Sequence, residues 1–242
     1  MSDLTSSPYP GLRPFRMDED YLFFGREEQT AELVKLLREH RFLAVVGRSG
    51  SGKSSLVRAG LLPAIQGGMM QHASSAWEIA VLRPGGHPIR NLAECLIEAD
   101  LYDREDEETL PRLLATLNHS ALGMVQAYQQ SEIESDANLL IVVDQFEELF
   151  RFERHDLKAK DEAHAFVELL LEASRAPEVP IYIVLTMRSD YLGDCAQVPG
   201  LAEAVNRGEY LIPRLERRQL RVAVEGPAKV GAGSVSYRLV QH

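Results

Sequence analysis

The feature that most constrains this chain is the run Gly47-Arg48-Ser49-Gly50-Ser51-Gly52-Lys53-Ser54, which fills the pattern G-x-x-x-x-G-K-[ST]. Each fixed position has a physical task. The glycines let the backbone curl until successive N–H groups face an anion. Lys53 brings a positive charge to the β- and γ-phosphates, and the Ser54 hydroxyl suits a Mg²⁺ ion. The context supports the pattern. Phe42 to Val46 is a short apolar run with β-branched residues, as in a buried parallel strand, and Ser54 to Ala59 is compatible with a helix whose dipole adds to anion binding. Strand, glycine-rich loop and helix follow in the required order.

The rest of the chain continues this alternation. Apolar runs at Trp77–Leu82, Leu139–Val143 and Ile181–Thr186 read as strands, and Tyr210–Ile212 as a short fifth. Helical patterns are expected at Glu27–Glu39 (with Leu33, Leu36 and Leu37 on one face), from the loop to Leu62, and at Pro88–Ala99, Leu110–Tyr128 and Phe166–Ser174. The acidic stretch at residues 103–108 reads as a solvated loop. Continuously apolar strands alternating with helices predict an α/β fold, a three-layer sandwich with a parallel sheet of about five strands and helices on both faces. Ligands of such sheets bind beyond the carboxyl ends of the strands.

Composition narrows the function. The 242 residues carry a formal net charge of −10, which argues against a broad nucleic-acid or anionic-membrane surface. No apolar run approaches the length of a membrane span, and Cys95 and Cys195 lack C-x-x-C spacing. Free thiols in a reducing cytoplasm are expected.

Further polar groups fall at strand ends. The strand Leu139–Val143 runs into Asp144, a natural Mg²⁺ partner beside a phosphate loop, or a cap for the next helix. Glu147 and Glu148 follow. Either carboxylate could position the attacking water, and Glu148 is favoured as lying one turn past Asp144. The strand from Ile181 ends in Thr186 and Arg188. Arg188 would face the γ-phosphate, or would pair with Asp190 or Asp194.

As a set, these motifs resemble the STAND class of P-loop NTPases, most nearly the novel STAND type. The resemblance is carried by Tyr9-Pro10-Gly11-Leu12-Arg13-Pro14-Phe15 with Phe24-Gly25-Arg26-Glu27, by the phosphate loop, by Asp144-Gln145-Phe146-Glu147-Glu148-Leu149 and by Thr186-Met187-Arg188-Ser189-Asp190. It extends over residues 8 to 228. It implies that ATP with Mg²⁺ is the ligand, held by Gly47 to Ser55, and that Gly25 and Arg26 lie against adenine and ribose. It further implies that Arg188 senses the γ-phosphate and that Ile181–Thr186 is an extra strand between the phosphate-loop and Asp144 strands. Pro227, in Glu225-Gly226-Pro227-Ala228, resembles the motif that closes over the nucleotide from a helical lid.

The domain reading is then an extended lead-in at 1–20, an NTPase core at 21–213, and at 214–242 the start of a helical lid that stops short at Leu239-Val240-Gln241-His242. The resemblance implies a slow ATPase acting as a signalling switch. Its sensor or effector domains lie outside this chain, and self-association through the core would complete the site. The alternatives are a non-hydrolysing module in which nucleotide is structural, and a small-molecule kinase using the basic stretch Arg214, Arg217, Arg218 and Arg221.

Overall fold

Three runs are apolar enough to be buried on both faces, and they form the centre of the sheet. In the computed structural model, which describes residues 8–70, 76–134, 137–153 and 157–231, the strands are β1 (Phe42–Gly47), β2 (Trp77–Leu82), β3 (Asn138–Val143), β4 (Ile181–Arg188) and β5 (Glu209–Leu211). Every residue of β1 and β3 is buried, as are all of β4 but Arg188. The strands are parallel in the order β2-β3-β4-β1-β5, so β4 lies between the phosphate-loop strand and the Asp144 strand, as the resemblance implied. The partly exposed β2 and the three-residue β5 are the edges.

The two-residue period of a strand divides the core between two faces. Leu43, Val45, Leu140, Val142 and Val184 face α1 (Glu27–His40) and α2, a continuous helix over residues 53–66. Ala44, Val46, Ile141, Val143, Ile183 and Leu185 face the other layer. That layer holds α3 (Pro88–Glu98), α4 (Thr109–His119), α5 (Gly123–Gln130), α6 (Glu148–Glu153), α7 (Leu157–Arg175) and α8 (Leu201–Gly208). A last helix, α9 (Arg217–Val230), lies against the start of the chain. The buried stripe of α1 is Leu33, Val34 and Leu37, with Leu36 only partly covered.

Local chemistry accounts for the differences from expectation. The single helix expected over Leu110–Tyr128 is two, α4 and α5. The chain reverses at Gly123, where a Cβ would lie 2.6 Å from the Thr116 carbonyl oxygen, and the Ser120 hydroxyl accepts the Leu122 N–H. The helix expected over Phe166–Ser174 begins earlier, at Leu157, because its polar first turns keep an exposed face. Within α2, residues Leu56–Leu61 are π-helical, and Met17–Leu22 forms a 3₁₀ helix, neither of which was anticipated. Residues 103–108 form an exposed loop. Both cysteines are buried and unpaired; burial pushes the Cys95 thiol to about 12 and the Cys195 thiol to about 11, which suits packing rather than nucleophilic use. No helix among the described residues is long and apolar enough to cross a membrane. Residues 1–7 of the lead-in, and the terminal run Leu239–His242, lie outside the described residues.

One junction fixes how closely the last strand docks. A Cβ at Gly208 would sit 2.1 Å from the Phe42 carbonyl oxygen, a backbone atom that cannot swing aside. Gly208→Ala is expected to cost about 1–3 kcal/mol, read as a lower urea midpoint. An unchanged midpoint would contradict this packing.

Candidate nucleotide-binding site

The loop after β1 is built around its glycines. Gly50 and Gly52 have φ of +74° and +87°, where a side chain would be strained, and both face open space. Beside them lies a cleft of about 490 Å³, lined by Ser49, Gly50, Gly52, Lys53, Ser54 and Ser55 of the loop. Its other walls are Gly11 to Pro14, Gln145, Glu147, Arg151, Thr186 and Arg188. It lies at the carboxyl ends of β1, β3 and β4, where the sequence placed it.

Lys53 is 9% exposed and donates to the carbonyl oxygens of Gly47 and Arg48, both at 3.0 Å. Burial lowers its pKa, and the charge of Glu147 opposes that shift. Ser51 has a buried Oγ with no partner among the described residues. That hydroxyl lies against Gly47, and Ser51 is not part of the cleft wall.

Asp144 is 1% exposed and is held by three donors. The hydroxyls of Ser54 and Thr186 each donate to Oδ1 at 2.7 Å, and Arg58 Nη2 donates to Oδ2 at 3.0 Å. The structure gives no sign of the helix-cap role considered for Asp144; its oxygens face α2 and β4 instead. Oxygen donors from Ser54 and Asp144 suit a hard cation. Among the described residues no three His, Cys, Asp or Glu side chains form a metal cage.

The two glutamates part company. Glu147 is 8% exposed, lines the cleft and accepts the Arg188 backbone N–H at 3.3 Å. Glu148, favoured from the sequence, turns away: its Oε2 accepts the Gly85 N–H at 3.2 Å. With the Gln145 amide oriented to satisfy both neighbours, it donates to Glu148 Oε1 and accepts from Arg83, both at 3.1 Å. The reason is local. The expectation assumed a helical turn after Asp144, but Gln145 is left-handed, at φ +60°, and the fully buried Phe146 anchors the reversal. Glu147 then emerges beside β4 and Glu148 opens α6 toward the β2–α3 loop.

Arg188 closes β4 and lines the cleft, while its guanidinium pairs with Asp190 at 2.6 and 3.1 Å and lies 5.6 Å from the Tyr191 ring. Arg188 therefore stands at the cleft with its tip engaged by Asp190, the pairing considered as the alternative to a phosphate contact.

Gly25, Arg26 and Pro227 do not line the cleft. They lie on a seam between the start of α1 and α9. A Cβ at Gly25 would be 2.5 Å from the Gln219 carbonyl oxygen, and one at Gly226 2.5 Å from the Phe24 ring. Arg26 donates to the Pro213 carbonyl oxygen at 2.9 Å, and Pro227 is buried inside α9.

The site also holds groups the sequence reading did not place there. Thr186 was noted only as a strand end, yet it bonds Asp144 and accepts the Gln145 N–H at 3.0 Å. Arg58 escaped notice, though its spacing of four from Ser54 was a signal for a shared helix face. The lead-in forms a strap. Tyr9 donates to the Val224 carbonyl oxygen at 2.6 Å, Phe15 N–H donates to Ser55 Oγ at 3.2 Å, and Arg13 grips Glu19 at 2.6 and 2.7 Å.

A model of the novel STAND NTPase 1 family matches residues 8–242, so the chain belongs to that family of P-loop NTPases. No curated protein matches the chain. Among solved structures, the fold is similar to the E. coli MS115-1 HORMA:CdnC:Trip13 complex (TM-score 0.56, 14% identity, covering 95% of this chain and 77% of that one). It is also similar to the Aeropyrum pernix ORC1 protein in complex with DNA (0.55, 15%, covering 93% and 53%) and to the Aeropyrum pernix ORC2 protein in ADPNP–ADP complexes (0.53, 14%, covering 85% and 52%). The chain spans about half the length of the two Aeropyrum proteins. At these identities the likeness is one of fold.

The strap carries its own test. The Arg13 guanidinium holds the Glu19 carboxyl at about 2, below its ordinary 4.5. A depressed carboxyl stabilises the fold fully above the ordinary value and loses that contribution as pH falls toward 2. Glu19→Gln is expected to flatten the fall in melting temperature between those limits, seen by circular dichroism. Superimposable acid profiles would contradict the brace.

Proposed function

We propose that this novel STAND NTPase binds ATP in the cleft beyond β1, β3 and β4, hydrolyses it slowly, and acts as a nucleotide-dependent conformational switch. The observation that carries the reading is the convergence on one cleft of Lys53, the Ser54–Asp144–Thr186 cluster, Glu147 and Arg188. Phosphoryl transfer asks a protein mainly for positioning and for positive charge where negative charge develops.

Each group has a part. The backbone N–H groups from Ser49 to Ser54 hold the phosphates. Lys53 leaves the Gly47 and Arg48 carbonyls for the β- and γ-phosphate oxygens. Arg188 exchanges Asp190 for the γ-phosphate. Glu147 orients the attacking water and takes up its proton. Ser54 and Asp144 would hold Mg²⁺, which would supply neutralisation of the phosphate charge. A neighbouring copy could supply a second arginine, which is the basis for proposing self-association.

The seam supports the switch. A base seated against Gly25 and Arg26 would have to displace Gln219 and Ala223 of α9, because there is no room between them for a ligand. Occupancy would then move the helix that leads on from the core. On this reading the core spans 21–213 and α9 begins the lid. Downstream sensor or effector domains are proposed to take up that motion.

Three variants test the assignment. Lys53→Ala is expected to weaken ATP binding at least about tenfold. Glu147→Gln should keep binding and lower turnover about 10²-fold or more, while Glu148→Gln stays near wild type. Loss of turnover in Glu148→Gln alone would return the water-positioning role to that residue. Wild type that binds ATP without turnover would favour the non-hydrolysing module.

A further inference from the structure

Asp144 has a cation of its own. Ser54 and Arg58 stand four residues apart on α2, so both point from one helix face toward β3. The hydroxyl takes Oδ1 and the guanidinium takes Oδ2, at 3.0 Å. The Asp144 side chain is 1% exposed and that of Arg58 29%, so the contact is shielded from water on one side and reachable from the other. Arg58 Nε is buried and has no partner among the described residues, so Asp144 is the guanidinium's anchor. The π-helical stretch Leu56–Leu61, a wide turn often found at functional sites, carries Arg58.

A buried carboxylate beside a phosphate site raises an electrostatic difficulty. Without a counter-charge it repels the incoming phosphates, and a nucleotide then binds well only when a metal ion accompanies it. Arg58 removes that difficulty before any metal arrives. It also opposes the metal, because a guanidinium on Oδ2 repels a divalent cation held near the same carboxylate.

We propose that Arg58 is a built-in counter-ion for Asp144 that lets the cleft take up a nucleoside diphosphate with little dependence on Mg²⁺, leaving the metal's part to turnover. Arg58 acts through Asp144 and is a positioning residue. This inference rests on the nucleotide-binding reading above. It deepens the switch, since the cleft would retain its nucleotide whatever the free Mg²⁺ level.

The test is the affinity for ADP, measured by calorimetry with excess Mg²⁺ and with EDTA, for wild type, Arg58→Lys and Arg58→Met. Wild type is expected to lose less than about fivefold in affinity on removing Mg²⁺, and Arg58→Lys to behave alike because the charge is kept. Arg58→Met is expected to lose more than about tenfold in EDTA while recovering in Mg²⁺. Recovery in Mg²⁺ separates this effect from simple misfolding. If Arg58→Met does not fold, wild type and Arg58→Lys decide the matter. A wild-type loss above fivefold, or an Arg58→Met protein as indifferent to Mg²⁺ as wild type, overturns the proposal while leaving nucleotide binding intact. No ADP binding by wild type under either condition overturns both.

Discussion

A carboxylate that is 1% exposed must be fully hydrogen-bonded or it destabilises the chain around it. Asp144 meets that demand by drawing donors from two other elements, Ser54 and Arg58 from α2 and Thr186 from β4. The bonds fasten the phosphate loop to the sheet at the point where chemistry is proposed. They also depend on strand order. Because β4 lies between β1 and β3, Thr186 reaches Asp144 while Gly47 sits in register with Arg188. With β1 directly beside β3, neither Thr186 nor Arg188 could stand at the cleft.

A second regularity is that the phosphate-seeking groups are already occupied by the protein. Lys53 rests on loop carbonyls, Arg188 on Asp190, and Ser55 on the Phe15 amide. These contacts hold cations at the cleft in a chain whose net charge is −10. They also set a threshold, because a ligand gains only the difference between its own contacts and those it displaces. Arg188 and Asp190 are both exposed, so that exchange costs little. Lys53 is buried, and its two carbonyl partners belong to the loop itself.

Much of this was legible in the residues. Strands β1, β3 and β4 announced themselves because both faces are buried, and the phosphate loop because its glycines and lysine are individually required. The family resemblance supplied the place of β4, which no local pattern encodes. The break between α4 and α5 was missed because it depends on the close approach of Gly123 to Thr116, a contact rather than a propensity. Glu148 was preferred to Glu147 because a helical period was extended through Gln145. Left-handed backbone at a glutamine is rare, and here it accompanies the complete burial of Phe146. The place of Arg58 beside Asp144 and of Gly11 to Pro14 in the cleft wall was missed for a shared reason: both arise where segments distant in sequence meet.

The most direct measurement is a crystal structure with a non-hydrolysable ATP analogue and Mg²⁺. The account predicts the triphosphate along residues 49–54, Lys53 and Arg188 released from their resting partners onto the β- and γ-phosphates, and Glu147 facing the terminal phosphate across a water. A nucleotide bound with Arg188 still on Asp190 and Glu147 turned from the γ-phosphate would contradict it.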